Sequence, residues 1–184
     1  MSAKIAILLE EGFEEIEAIV PIDVLRRLEF DVTIAGTSAK VAGAHDIRID
    51  TDSIVRELDV ESLDALILPG GLPGATNLRD NPEVIELVQE MNDKEKLICA
   101  ICAAPITLQK AGIMTGKTCT GYPMDLVKDA LFDANYTGGR VEKDGNIITG
   151  KGPGASFEFA VEIASALGKE PQARSLMKNM FVRE

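Results

Sequence analysis

Ala100-Ile-Cys102-Ala-Ala104 places a thiol between small residues, after the apolar run from Lys96 to Ile101 and just before Pro105. This small-x-nucleophile-x-small spacing is the thiol counterpart of a strand-to-helix nucleophile elbow, in which small neighbours let a strained turn close. Such a turn is expected to project Cys102 into solvent at a helix N-terminus, whose free N–H groups favour a thiolate. The competing reading is an inert core thiol, since free cysteine is among the most buried residue types. Cys99 completes a C-x-x-C with Cys102. Three residues of strand, however, separate their Cα atoms by about 10 Å, beyond the roughly 7 Å that a disulfide spans. Cys99 and Cys119 are therefore read as core thiols.

Leu68-Pro-Gly-Gly-Leu-Pro-Gly74 follows another apolar run. Consecutive glycines there can turn N–H groups toward a developing oxyanion, although a plain glycine turn is the commoner outcome. Glu10, Glu11, Glu14, Glu15 and Glu17 crowd the end of the first apolar run. Most are expected to form a solvated helix start, with one or two facing the thiol. His45 is the only histidine, so a Cys/His dyad must use it or do without, and a lone loop histidine is usually just exposed. Gly150-x-Gly152-x-x-Ala155 matches a dinucleotide fingerprint. It is read as a structural loop, because Pro153 removes a donor and too little chain follows to build the fold. No metal-ligand cluster is expected.

The elements that must position these groups are short β-rich runs alternating with segments of helical period, the pattern of a parallel sheet covered on both faces. Strands are expected at residues 4–9, 31–35, 47–51, 64–68, 96–101 and 117–120, in a sheet of six or more. A hairpin is expected from 140–143 to 146–149 through Asp144-Gly145. A helix over 14–28 carries Ile16, Ile19, Val20, Val24 and Leu28 near one face, with Pro21 marking a kink or a fresh start. Asn81-Pro82-Glu83 signals a helix start, Ser156 is expected to cap a helix reaching Leu167, Gly168 to close it, and 171–180 to form a last helix. In open α/β sheets ligands gather beyond the carboxyl ends of the strands, which selects 10–17, 69–77, 102–105, 121–123 and 150–155.

Composition bounds the rest. A chain of 184 residues is about one domain, so 1–184 is read as a single unit. Nineteen basic residues against 30 acidic ones leave a net charge of −11, which repels phosphate backbones and anionic lipid and argues against nucleic-acid and membrane partners. The longest apolar stretch, Leu97 to Ile106, falls short of the roughly 18 to 20 residues of a membrane span. The five apolar residues from Ile5 to Leu9 are too few for a signal-peptide core. Three cysteines without framework spacing fit a reducing compartment, and a cytoplasmic protein is expected.

At these residues the sequence resembles the DJ-1/ThiJ/PfpI superfamily, in its DJ-1-like branch, along nearly its whole length. The matching motifs are Glu11-Gly-Phe-Glu-Glu-Ile-Glu17 with Pro21 and Asp23-Val24, Leu68-Pro-Gly-Gly71, Ala100-Ile-Cys102-Ala-Ala-Pro105, Arg140-Val-Glu-Lys-Asp-Gly145 and Gly152-Pro-Gly-Ala-Ser-Phe-Glu-Phe159. The resemblance implies a flavodoxin-like α/β/α sandwich, usually a homodimer, with Cys102 as its reactive thiol. It implies that Glu17, kept protonated, hydrogen-bonds the sulfur, and that Gly71 and Ala103 supply backbone N–H groups to an oxyanion or to oxidised sulfur. Where relatives carry a histidine before proline, this chain has Tyr122 before Pro123. Tyrosine, with a reference pKa of about 10, is a poor general base at neutral pH.

Two functions follow as expectations. In the first, Cys102 adds to small reactive aldehydes or to glycated protein, Glu17 moves the proton, and no cofactor is needed. In the second, a redox sensor or redox-regulated chaperone, Cys102 is oxidised to a sulfinic acid with little turnover. A thiol of pKa about 8.5 is only about 3% thiolate at pH 7, whereas a drop of two units, about 2.7 kcal/mol, raises this to roughly three quarters. Such a drop is expected from the acid and the helix N-terminus.

Overall fold

The computed structural model describes residues 2–183. Strands β1 (Lys4–Leu9) and β2 (Asp31–Gly36) flank helix α1 (Glu15–Arg27), and β3 (Lys40–Ala42), β4 (Arg48–Asp50) and β5 (Ser53–Ile54) follow. Next come β6 (Ala65–Leu68), α2 (Gly74–Asp80), α3 (Pro82–Asp93), β7 (Leu97–Ile101), α4 (Pro105–Lys110), β8 (Thr118–Cys119) and α5 (Asp125–Ala130). The chain ends with β9 (Asn135–Tyr136), β10 (Val141–Asp144), β11 (Ile147–Gly150), α6 (Ser156–Ala166) and α7 (Glu170–Asn179).

Seven strands form the central sheet in the order β10-β11-β7-β6-β1-β2-β5. All neighbours are parallel except β10 and β11, the expected hairpin, whose Gly145 takes φ 62°. Helices α1, α6 and α7 pack as one layer, and α2, α3 and α4 as the other. Central strands covered on both faces must be apolar throughout, and Ile5–Leu9, Ala65–Leu68 and Leu97–Ile101 are all buried. Each large side chain so placed contributes about 1.5–3 kcal/mol. The chain runs outward from β1 to β2 and then returns to β6 on the other side of β1, so the topological switch lies between β1 and β6, where ligand crevices open.

Several expectations change. The strand near 47–51 is β4, which pairs with β3 in a separate ribbon, while β5 takes the sheet edge beside β2. The strand near 117–120 is β8, paired with β9 outside the main sheet. Pro21 does not break α1, whose buried residues Ala18, Ile22, Val24 and Leu25 hold it through the one missing bond. Ser156 begins α6 without capping it, because a 3-10 turn at Pro153–Ala155 runs directly into the helix. By contrast, Asn81 accepts from Glu83 N–H at 3.0 Å as a true cap, and Gly168 ends α6 at φ 84°. The short elements α2, α5, β3 and β9 have no counterpart among the expectations.

Candidate active site

The thiol sits on a strained corner. Between the end of β7 and the start of α4, Cys102 takes φ 64°, a left-handed conformation that costs a non-glycine residue of order 1–3 kcal/mol. The corner is pinned on both sides: Cys102 N–H donates to Gly150 O at 2.8 Å, and Cys102 O accepts from Tyr122 N–H at 2.8 Å. The side chain does not project into solvent as expected. Cys102 is 9% exposed, because the loop after β6 and the first turn of α1 close against it. A Cβ built on Gly70 would lie 2.6 Å from both Cys102 Cβ and Glu17 Oε2, so the three residues meet with no spare space.

Glu17 enters this corner from α1. It has no solvent-accessible surface, and Oε2 accepts from Gly70 N–H at 2.8 Å. Oε1 is buried without a formed hydrogen bond. A buried polar atom without a partner is disfavoured, and the group beside this carboxyl that can exchange a proton with it is the Cys102 thiol. Backbone N–H groups of Gly71 and Ala103 reach the sulfur. Gly71 takes φ 88°, a conformation open to glycine. Cys102, Glu17, Gly71 and Ala103, four residues singled out in the sequence, are thus brought together.

Electrostatics within the corner follow from burial. Burial raises Glu17 to about 7, opposed by the neighbouring thiol and by the hydrogen bond from Gly70 N–H, and the charge of Glu14 adds to the rise. Burial also pushes the Cys102 thiol up, as does the Glu17 carboxylate beside it, while Gly71 and Ala103 N–H pull it down. The expected fall of two units is therefore corrected: α4 is only six residues long, and beside an ionised Glu17 the sulfur keeps its proton. As pH rises through about 7 the pair gains a single negative charge, which a proton transfer can move between oxygen and sulfur.

Tyr122 lies at the rim. It is 45% exposed, its ring rests against Gly152, and its hydroxyl makes no hydrogen bond among the described residues. It borders a shallow groove of about 250 Å³ lined by Pro123, Arg140, Lys151 and residues 152–155, the loop whose dinucleotide match was set aside. A larger depression of about 730 Å³ lies at the opposite end of the sheet, around Asp64, Lys96 and Asn146, and no cysteine lines it. Cys99 and Cys119 are buried, and all three thiols are free.

One grouping escaped sequence reasoning. Side-chain ligand atoms of Glu14, Glu15 and His45 lie within 4.8 Å of one another, where no such cluster was expected. Its chemistry is that of a clamp. Buried Glu15 accepts from His45 N–H at 2.6 Å through Oε1, and its Oε2 meets His45 Nδ1 at 2.9 Å. The carboxylate is already engaged in tying the β3–β4 turn to α1. Gly70 was likewise missed as an individual, although the Gly70-Gly71 pair drew attention to its loop.

A mostly parallel flavodoxin-like α/β fold, with a thiol on its strand-to-helix corner and a buried acid facing it, defines the class. The chain belongs to the DJ-1/PfpI family, whose profile matches residues 3–166. It is 40% identical over 167 residues to a Danio rerio protein named Parkinson disease protein 7 homolog, covering 88% of this chain and 87% of that one. It is 36% identical over 171 residues to the Caenorhabditis elegans protein named glutathione-independent glyoxalase DJR-1.2, covering 91% and 90%. The crystal structure of Drosophila melanogaster DJ-1beta superposes with a TM-score of 0.94 at 36% identity over 100% of both chains. No helix among the described residues is long and apolar enough to cross a membrane.

Proposed function

We propose that this protein is a cysteine-dependent, glutathione-independent glyoxalase acting on small reactive aldehydes, with Cys102 as nucleophile and Glu17 as proton carrier. The observation that carries this reading is the meeting of Cys102, the unpartnered Oε1 of Glu17 and the N–H groups of Gly71 and Ala103 in one buried corner. The name of the nematode relative agrees with it.

The chemistry balances without a cofactor. As the sulfur of Cys102 bonds the aldehyde carbon of methylglyoxal, its proton passes to the Glu17 carboxylate, and the carbonyl π pair becomes an alkoxide. Glu17 returns that proton to the alkoxide, giving a hemithioacetal. Glu17 then takes the C1 proton to leave an enediolate and returns it to C2, while the C1 hydroxyl proton moves to the C2 oxygen, which gives the lactoyl thioester. Water hydrolyses the thioester to lactate and frees the thiol. A base of pKa about 7 suits this work near neutral pH. N–H donors facing the sulfur also lie near the charge that moves to the carbonyl oxygen. Burial of the thiol favours a small aldehyde over a glycated protein side chain, which makes deglycation the secondary activity.

One observation favours a second reading. The same N–H donors and a protonated Glu17 would hold the oxygens of a sulfinic acid, as in a redox sensor or redox-regulated chaperone. Homodimerisation through α1 and the β3–β4 turn belongs to the proposal, supported by half-exposed Ile16 and Ile19 on α1 and half-exposed Ile47 on the turn that Glu15 ties to that helix. So do a single-domain unit and a reducing, cytoplasmic setting that keeps the thiol free.

Incubation of pure protein with methylglyoxal, without glutathione, decides between the two readings. Lactate formed by the wild type and lost in Cys102→Ser is the expected result. No lactate from either protein, with a mass gain of two oxygens on Cys102 after mild peroxide, would favour the sensor instead.

A further inference from the structure

Gly70 touches both members of the reactive pair. Its N–H donates to Glu17 Oε2 at 2.8 Å, and its carbonyl accepts from Glu14 N–H at 2.9 Å. One glycine of the β6–α2 loop therefore fastens the first turn of α1 through both of its backbone polar groups. On the other side, a Cβ at this position would stand 2.6 Å from Cys102 Cβ and 2.9 Å from Ala103 N. Its φ lies outside the left-handed range, so the glycine is demanded by space and not by backbone conformation.

This contact makes the two carboxyl oxygens unequal. An oxygen that accepts an N–H offers its lone pair to that donor, and a proton on it would have to be held beside the donor. The proton is favoured on the other oxygen, which is buried and without a formed hydrogen bond. We propose that Gly70 is a positioning residue that assigns the proton-bearing role to Oε1 of Glu17, and that its missing side chain is what lets the Glu17 carboxyl and the Cys102 corner close on each other so that the two groups can exchange a proton. The inference rests on the pairing of Cys102 with Glu17 in the proposed function, and not on aldehyde turnover. Among the described residues, the titratable groups acting on Glu17 are Cys102 from the elbow and Glu14 from the start of its own helix.

Two measurements test it without any aldehyde. In the first, amide resonances of the wild-type protein are followed by NMR from pH 5 to 9. The Gly70 amide proton is expected to move downfield with a midpoint near 7, the value at which Glu17 titrates, and to stay flat in Glu17→Gln. A Gly70 amide that ignores pH in the wild type would overturn the proposal. In the second, the rate of Cys102 alkylation by iodoacetamide is measured against pH. Gly70→Ala is expected to raise the midpoint by about one unit and to slow alkylation at pH 7 about tenfold, because the added Cβ, which would lie 2.6 Å from Glu17 Oε2, pushes the carboxyl off the backbone N–H that favours its charged form. The same change in a Glu17→Gln background is expected to shift no midpoint. Should Gly70→Ala lower the melting temperature yet leave the alkylation midpoint in place, the glycine is a packing residue and the proposal fails. A protein that makes no lactate but shows the Gly70 titration would refute the glyoxalase reading alone.

Discussion

Glu17 has no solvent-accessible surface, whereas Ile16, its neighbour in the chain, is 50% exposed. A helix ordinarily turns the isoleucine inward and the acid outward. The inversion has a physical basis on each side. Glu17 faces the thiol and Gly70 N–H, and Ile16 lies beside Ile19 and the turn that carries Ile47. Helix α1 is thus oriented by what its polar side chain meets in the site and by what its apolar side chains leave uncovered.

Burying this acid lowers stability once it ionises. Glu17 is raised to about 7 from an ordinary 4.5, so between those values the native state binds more protons than the unfolded chain, and stability falls as pH rises. Glu17→Gln is expected to match wild-type stability near pH 4. At pH 8 it should exceed wild type by about 3 kcal/mol, because every pH unit crossed between the unfolded and folded pKa values is worth about 1.36 kcal/mol. Urea unfolding at the two pH values measures the gap, and an equal gap at both contradicts the burial of an ionisable acid at this position.

The His45 clamp also loses stability as pH rises, but by losing an attraction and not by burying a charge. The hydrogen bond with Glu15 raises His45 above its ordinary 6.5, and the charges of Glu14 and Glu15 add to the rise. Burial opposes ionisation of Glu15, yet its bonds to the His45 ring and backbone hold it below 4.5. A raised histidine stabilises fully below its unfolded value and loses the effect as pH rises through the folded one. His45→Ala is therefore expected to lower the melting temperature at pH 6 and to change it little at pH 9. Equal losses at both pH values would show that the ring acts by packing alone.

Association should depend on the three exposed isoleucines. Sedimentation of the wild type at micromolar concentration is expected to show a dimer, and Ile47→Asp a monomer of unchanged circular dichroism. A wild-type monomer, or a variant that still dimerises, rules this surface out as the interface.

Much of this arrangement was legible in the sequence, for local reasons. Small residues around Cys102 announced a sharp turn, Asn81-Pro82 a helix start and Asp144-Gly145 a hairpin, because each depends on backbone preferences of the residues themselves. What escaped depends on distant partners. Apolar spacing in α1 put Ile16 and Ile19 near one face with Val24 and Leu28, since periodicity does not register that Gly70 and Cys102 wait on the face of Glu17. Strands β4 and β8 are too short for sequence to say which edge they join. The upward shift of the thiol arises from closure by α1 and the β6–α2 loop, segments far from Cys102 in the chain.

Tyr122 stands at the rim of the site, directly before Pro123. Its hydroxyl forms no hydrogen bond among the described residues, and its ring packs on Gly152. Tyr122→Phe is therefore expected to change lactate formation by less than about twofold, below the effect of losing a general acid or base. A hundredfold loss would instead place the hydroxyl in the chemistry.

The proposed chemistry turns on Glu17 taking the proton of Cys102. Its most direct test is the pH dependence of kcat/KM for lactate formation from methylglyoxal in wild type and Glu17→Gln. The wild-type rate is predicted to rise through a pKa near 7. In the variant that limb should vanish, and the rate at pH 7.5 should fall by about 10²–10⁴-fold. A variant that keeps both the limb and the rate would contradict the assignment, leaving Cys102 without a proton acceptor.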